Sequence, residues 1–243
     1  MTPYNWQQTL RQKADYVEDR LKEGSPVVAL STQEGILLLT VRRGQRKIFE
    51  IYDRLAFSGL GNQSDLEAVR QLAVDFAHAE GFQRSPDDVS IQRVVGVALS
   101  PALKRGFSDP LRLPLVFLGL FAQVEPTPED DLYYLLNYDG EFSLHHRYAA
   151  AAGREASRVE MEQVLSELKR VPKLEAALEI ALRAWVVGRS SLKESGERWE
   201  ERLTQELRHG RLEAALLERD SRRDRRFRML EDRDVKTALS RFI

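Results

Sequence analysis

The first part of the chain carries apolar residues on one face of a predicted helix. The members of that face, spaced three or four positions apart, are Trp6, Leu10, Ala14, Val17 and Leu21. Gly24 follows them, and we expect it to end the helix in a left-handed cap conformation. A lone helix with such a face is poorly stable in water. The pattern therefore predicts an amphipathic helix over residues 6–22 that packs against another surface.

Nearly continuous apolar runs come next, and they predict strands that are covered on both faces. The predicted strands of this block are 26–30, 35–41, 47–51 and 54–58. The small residues from Ser58 to Gly61 are typical of a turn, and this turn is expected to open a helix. Ser64 is expected to cap that helix over 65–80, and Gly81 is expected to end it. The block therefore predicts a sheet followed by a helix.

The rest of the chain repeats the alternation of helices and strands. Ser85 and Pro86 predict the start of a second helix that reaches about Lys104. The later predicted strands are 113–124, 132–137, 141–149, 211–218 and 226–230, with a hairpin turn at 138–140. The later predicted helices are 159–168, 172–187 and 232–242. Residues 188–210 are expected to form a helix or a surface insertion.

In this order, a pair of helices separates one block of strands from the next at two places in the chain. Two stacked sheets with a pair of helices on each outer face satisfy it. The sequence therefore predicts an α+β fold, a four-layer αββα sandwich preceded by an amino-terminal helix.

Composition narrows the class of protein. The 243 residues are 42% hydrophobic and 31% charged, with a formal net charge of −1, as is typical of a globular protein with a charged surface. The balance favours neither nucleic acid nor membrane as a partner. The chain has no cysteine, which excludes disulfides and thiolate sites. No signal peptide or membrane span is visible, so we expect a cytoplasmic protein.

The sequence shows no pattern for a metal or a cofactor. The four histidines, His78, His145, His146 and His209, lack ligand spacing. The arginine-rich run over 222–228 alternates with acidic residues, which favours a salt-bridged strand edge or subunit interface over a nucleic-acid patch. We therefore predict no metal and no cofactor.

Several short segments resemble one protein family in their order and spacing. They are Pro3-Tyr4, Ser25 to Leu30, Gly35 to Leu38, Lys47-Ile48, Tyr52 to Arg54, Ser58 to Gly61, and the 138–140 turn. Together they resemble a bacterial, actinobacterial-like proteasome α-type subunit, within the amino-terminal-nucleophile hydrolase superfamily. The resemblance implies the same αββα sandwich. It further implies a ring of seven such chains stacked on a ring of β-type subunits that carry out the proteolysis.

The resemblance also implies a division of the chain and a gate. Residues 1–23 would form a gating tail and the amino-terminal helix, and residues 24–243 would form the sandwich domain. The gate would lie at the start of the chain, with Thr2, Pro3 and Tyr4 among its residues. The helix face of Trp6, Leu10, Val17 and Leu21 would pack between subunits; the alternative is that it packs on its own domain.

Catalysis by this chain itself is not expected. In such hydrolases the nucleophile is the first residue of the mature chain, because its free amine serves as the base. Ser25 occupies that place, yet residues precede it, and Val41 stands where related β subunits carry an acid. We predict no catalytic residue. Two alternatives remain open: a peptidase that processes itself at Ser25, and a stand-alone ring scaffold without a β partner.

Lys47 is the strongest candidate for a binding residue. By resemblance it lines a pocket between neighbouring α subunits, where the carboxy-terminal tail of a ring ATPase or another activator inserts. A tail carboxylate needs a fixed cation, and such a charge-assisted hydrogen bond contributes roughly 1.5–3 kcal/mol. Gly24, Gly59 and Leu60 match the turns that flank this pocket. The alternative for Lys47 is a lysine with a buried stem on an edge strand. The alternative for the glycines is that they are needed only for the backbone conformation of turns.

Overall fold

The computed structural model describes residues 3–189, 198–221, 225–231 and 234–235. The strands are β1 Val27–Ser31, β2 Gly35–Arg42, β3 Ile48–Tyr52, β4 Leu55–Gly61, β5 Phe117–Gln123, β6 Leu132–Asn137, β7 Phe142–His146, β8 Tyr148–Ala151, β9 Arg211–Glu218 and β10 Phe227–Met229. The helices are α1 Pro3–Leu21, α2 Gln63–Gln83, α3 Ile91–Arg93, α4 Ser100–Ser108, α5 Glu155–Ser166, α6 Leu174–Arg189 and α7 Trp199–His209.

These strands form two five-stranded antiparallel sheets. The first has the order β10-β9-β2-β1-β8 and the second the order β3-β4-β5-β6-β7. One apolar cluster fills the space between the sheets, a second lies between the first sheet and α5, α6 and α7, and a third lies between the second sheet and α2 and α4. The predicted α+β sandwich of four layers is confirmed.

The central strands show why the sequence gives this arrangement. All residues of β1 and nearly all of β2 are buried, and the two strands pair with Ala29 opposite Leu38. Side chains of a strand alternate between its faces. Val28 and Leu30 accordingly pack under the helices, while Val27 and Ala29 pack between the sheets. Continuous apolar runs are therefore required, because both faces of the sheet are covered.

The predicted turn at Ser58 to Gly61 is wrong, because these residues continue β4 to its end. The turn comes one residue later, after Gly61 with its φ of +135°. Helix α2 then begins at Gln63, and its N-cap Asn62 makes no side-chain capping bond, so Ser64 does not cap it. Gly81 does not end α2 either. A Cβ there would collide with the Tyr52 ring, so this glycine permits close packing inside the helix.

The predicted helix over 86–104 is instead an interrupted segment. Ser85 caps a short 3₁₀ turn, Pro86–Asp88, by accepting from the Asp87 amide. After a break, α3 continues through a π-helical turn, Val94–Leu99, into α4, which ends at Ser108. Ser85 and Pro86 thus start the 3₁₀ turn and not the helix.

The predicted single strand over 141–149 is also wrong. Arg147 has a φ of 67°, and at this residue the chain leaves the second sheet and enters the first. Strand β7 thus pairs with β6, whereas β8 pairs with β1. The Arg147 guanidinium donates to the Leu168 carbonyl at 2.7 Å, which holds the crossing in place. No period of apolar residues marks such a change of sheet.

The remaining differences are at the ends of the chain and at element boundaries. Gly24 is not in the left-handed region expected of a cap residue. Its amide nevertheless donates to the Leu21 carbonyl at 2.8 Å, at the end of α1. Helix α7 lies within residues 188–210, where a helix or a surface insertion is expected, and its Leu203 is fully buried. Most of the predicted closing helix over 232–242 lies outside the described residues. None of the helices described here is long and apolar enough to cross a membrane.

Candidate functional site

Lys47 lies immediately before β3, the edge strand of the second sheet. Its backbone amide donates to the Glu213 carboxylate of β9 at 3.0 Å, and the Ile48 amide does the same at 2.8 Å. Glu213 is nearly inaccessible to solvent, so these bonds fix the backbone at Lys47. The Lys47 ammonium donates to the Ser25 carbonyl at 3.0 Å. The side chain is thereby aimed at the start of β1.

The electrostatics of Lys47 are those of an incompletely neutralised cation. Burial lowers the pKa of Lys47 to about 8, the Glu213 carboxylate opposes that shift, and the Arg189 guanidinium adds to it. Among the described residues, no carboxylate forms an ion pair with the ammonium. Its charge is therefore balanced mainly by a backbone carbonyl, which carries only a partial charge.

A cavity of about 160 Å³ adjoins this ammonium, and we call it the Lys47 cavity. Its lining residues are Glu23, Ser25, Val41, Arg42, Arg43, Lys47, Trp185, Arg189 and Glu206. The Trp185 ring forms a rigid wall, because it is buried and its Nε1 donates to the Pro26 carbonyl at 3.0 Å. The Lys47 cavity therefore joins an apolar wall to a set of cations.

Three arginines around this corner share one carboxylate, whereas Arg42 pairs with Glu213 at 3.3 Å. Glu206 of α7 is largely buried, and it lies 3.2 Å from the Arg43 guanidinium, 3.7 Å from that of Arg189 and 3.1 Å from that of Arg202. One negative charge thus faces three positive ones. This arrangement, together with Lys47, can bind a carboxylate or another small anion.

The other residues predicted to flank the pocket, Gly24, Gly59 and Leu60, are not among those that line the Lys47 cavity. A Cβ on Gly24 would lie 2.8 Å from the Cδ1 atom of Leu60, so the glycine is required by this close approach. Leu60 is fully buried between the sheets. Gly59 lies in β4, where a Cβ would be 2.8 Å from the Leu118 carbonyl oxygen. The structure thus brings Lys47 and Gly24 to one corner, with Leu60 packed under Gly24.

Ser25 lies two residues before β1, and its hydroxyl is held by backbone contacts. Its hydroxyl donates to the Val41 carbonyl at 2.6 Å, and its amide nitrogen is bonded to Gly24. Thr40 is the nearest side-chain hydroxyl, at 3.4 Å, and it donates in turn to the Pro26 carbonyl. The Lys47 ammonium bonds to the Ser25 carbonyl and not to the hydroxyl, so no base among the described residues is positioned to take the hydroxyl proton.

The predicted packing face of α1 is divided between core and surface. Val17 and Leu21 are buried in the cluster between the sheets, whereas Trp6 and Leu10 remain partly exposed. Pro3 and Tyr4 belong to α1 by their backbone, so the helix begins earlier than predicted. Thr2 lies outside the described residues. Among the described residues, no group of three acidic or histidine side chains is arranged to hold a metal ion.

Sequence reasoning missed the partners that give Lys47 its surroundings. Glu213, Arg189 and Glu206 come from β9, α6 and α7, far along the chain from Lys47. No local spacing joins these residues to it. Glu213 offered one signal, since an acidic residue inside an otherwise apolar strand is expected to meet a buried partner.

Comparisons with known proteins agree with the fold. No protein-family model matches the chain. It is 32% identical to the proteasome subunit alpha of Actinosynnema mirum over 228 residues, which cover 93% of this chain and 82% of that one. It is 31% identical to the proteasome subunit alpha of Thermobifida fusca, covering 93% and 84% of the two chains, and 31% identical to that of Thermomonospora curvata, covering 92% and 90%. Similarity at this level along nearly the whole chain shows that it belongs to the proteasome alpha subunit family.

Proposed function

We propose that this chain is a non-catalytic subunit in the outer ring of a proteasome-like compartmentalised protease. The ring consists of copies of this chain, seven by resemblance, and it stacks on a ring of proteolytic β-type subunits. The surroundings of Ser25 support this role. In addition, removal of the residues before Ser25 would take Val17 and Leu21 out of the core, so maturation at Ser25 would destabilise the fold.

The Lys47 cavity receives the carboxy-terminal tail of an activator, such as a ring ATPase. The observation that carries this proposal is the Lys47 ammonium, which faces a cavity and has a carbonyl oxygen as its bonded acceptor. A tail carboxylate would supply the missing full negative charge. Several tails docking on one ring would strengthen each other through effective concentration.

Residues 1–23 supply the gate and the helix that follows it, and residues 24–243 form the sandwich domain. The gate includes Thr2, Pro3 and Tyr4. Because α1 is anchored to the core by Val17 and Leu21, the residues before them are held near one end of the sandwich. Copies of this segment would meet at the axis of a ring and obstruct it.

Peptide binding to the assembled particle tests the docking site. A fluorescent peptide with a free carboxylate should bind, and the same peptide with a carboxy-terminal amide should bind at least about tenfold more weakly, because the charged hydrogen bond is lost. Lys47→Met should weaken binding of the peptide with the free carboxylate until it equals that of the amidated peptide. Lys104→Met, which changes an exposed lysine of α4, is the matched control and should bind as the unaltered protein does. Equal binding of acid and amide would overturn the docking site.

The gate and the absence of self-processing need separate measurements. Deletion of residues 2–8 should raise basal peptide hydrolysis by the particle, because the entrance is opened. Unchanged hydrolysis would remove the gate from the proposal. Mass spectrometry of the intact purified subunit should give a mass that includes residues 2–24. A species beginning at Ser25 would instead favour the self-processing peptidase.

A further inference from the structure

A second cavity adjoins the Lys47 cavity, and nothing so far assigns it a ligand. It measures about 410 Å³ and lies at the amino end of α5, so we call it the α5 cavity. Glu23 and Arg189 line both cavities, so the two share a wall. Glu23 is exposed and its carboxylate lies 4.0 Å from the Arg189 guanidinium. A chain that places its carboxylate at Lys47 can therefore continue along the α5 cavity.

Cations dominate the lining of the α5 cavity. They are Lys22, Arg154, Arg189 and Arg202, and they face the carboxylates of Glu23 and Glu160. Arg189 and Arg202 both depend on Glu206, which they also share with Arg43. In the described part of the chain these three guanidiniums face two carboxylates, Glu206 and the exposed Glu23, so positive charge remains in excess and extends over both cavities.

Of the cations that line the α5 cavity, Arg154 has the charge that is least neutralised by carboxylates. Its guanidinium is exposed, and no ion pair joins it to any carboxylate in the described part of the chain. It is also the N-cap residue of α5 and makes no side-chain capping bond. The first turn of α5, through Ala156 and Ser157, lines the same cavity. The partial positive charge of a helix amino end therefore adds to that of the arginine.

We infer that the docking tail carries an acidic residue a few positions before its terminal carboxylate, and that the α5 cavity binds this side chain beside Arg154. The inference rests on the proposed function, because it takes Lys47 as the site of the terminal carboxylate. Charge complementarity selects an acidic tail over a neutral or basic one.

Binding of matched peptides to the assembled particle tests the inference. The probes are fluorescent peptides of Gly, Ser and Leu with a free carboxylate and one Glu at the second, third or fourth position before the last residue. Each is compared with a peptide that has Gln there. We expect at least one Glu peptide to bind about fivefold more tightly than its Gln counterpart, as for a partly exposed ion pair. Higher salt should reduce this difference.

Substitutions in the subunit test whether the preference for Glu depends on Arg154. Arg154→Gln should abolish the preference for Glu, so that the Glu and Gln peptides bind equally. Arg170→Gln, at an exposed position away from both cavities, is the matched control and should retain the preference. Equal binding of Glu and Gln peptides at every position, or a preference that survives Arg154→Gln, would overturn the inference. Amidation of the terminal carboxylate reports on the proposed function separately, since it should weaken Glu and Gln peptides alike.

Discussion

Two cations lie beyond opposite ends of β1, Lys47 beside Ser25 and Arg219 beside Thr32. Arg219 donates to both carboxylate oxygens of Asp131, at 2.8 and 2.9 Å, and also to the Thr32 and Glu125 carbonyls. Asp131 has no solvent exposure. Lys47 has a single carbonyl as its bonded acceptor and opens onto a cavity.

The two ends of the strand therefore differ in what their cations can still bind. The guanidinium of Arg219 is paired in the planar, bidentate geometry that suits arginine, and it joins the two sheets. Its carboxylate partner is part of the fold. The ammonium of Lys47 lacks such a partner within the described part of the chain, which leaves it available to a ligand. The comparison predicts that changes near Arg219 affect stability and that changes near Lys47 affect binding.

Asp131→Asn should have the largest effect on stability. The substitution keeps the shape of the side chain but leaves the buried Arg219 charge uncompensated. Breaking a buried pair in this way costs about 3–5 kcal/mol of the free energy of unfolding. Urea denaturation of the purified subunit measures it. Asp130→Asn is the matched control, because Asp130 is exposed and bonds only to the nearby Thr127 hydroxyl, so its change should be small. Similar values for the two variants would contradict the structural role of Asp131.

Tyr133→Phe should have a smaller effect at the same end of β1. The Tyr133 hydroxyl lies 2.7 Å from the Ser31 hydroxyl in a fully buried bond, and burial holds the pKa of Tyr133 well above its usual range. Loss of one partner leaves the other unsatisfied and should cost about 1–3 kcal/mol in urea denaturation. The double variant Tyr133→Phe with Ser31→Ala removes both partners, so it should be less destabilised than the sum of the single variants. Simple additivity would show that the two hydroxyls are not coupled.

The sequence predicted the layers better than it predicted the connections between them. Buried strands such as β1 and β2 are visible as apolar runs, and α6 as an apolar face, because these patterns are local. The change of sheet at Arg147 and the π-helical turn Val94–Leu99 depend on packing between distant segments, and no periodicity marks them.

In the candidate site, too, the sequence predicts local features better than contacts between distant segments. Lys47 and Gly24 could be selected from the sequence, because the resemblance fixed their place in the chain. Arg189 and Glu206 could not, since they reach Lys47 only after α6 and α7 fold over the first sheet. The local sequence thus supplied the cation, and the tertiary structure supplied the charges that surround it.

Binding of a tail peptide at Lys47 should depend on pH. With a pKa of about 8, the ammonium is mostly protonated at pH 7 and mostly neutral at pH 9. A carboxylate binds the protonated form, so affinity should fall about tenfold between these two values, following the protonated fraction. Fluorescence anisotropy with the peptide acid measures this, and Lys47→Met should show no such change. Constant affinity for the unaltered protein over this range would contradict a role for the Lys47 charge.

Lys47→Met should have the smallest effect on stability, in contrast to Asp131→Asn. The folded state lowers the pKa of Lys47 from 10.5 to about 8, so the protonated side chain opposes folding below pH 8. This penalty is relieved as the pH rises from 8 towards 10.5, where the folded protein binds fewer protons than the unfolded chain. Methionine avoids the penalty but loses the bond to Ser25, so we expect the free energy of unfolding at pH 7 to change by no more than about 1 kcal/mol. Any advantage of the variant in urea denaturation should shrink at higher pH. A loss as large as that of Asp131→Asn would instead make Lys47 a structural residue like Arg219.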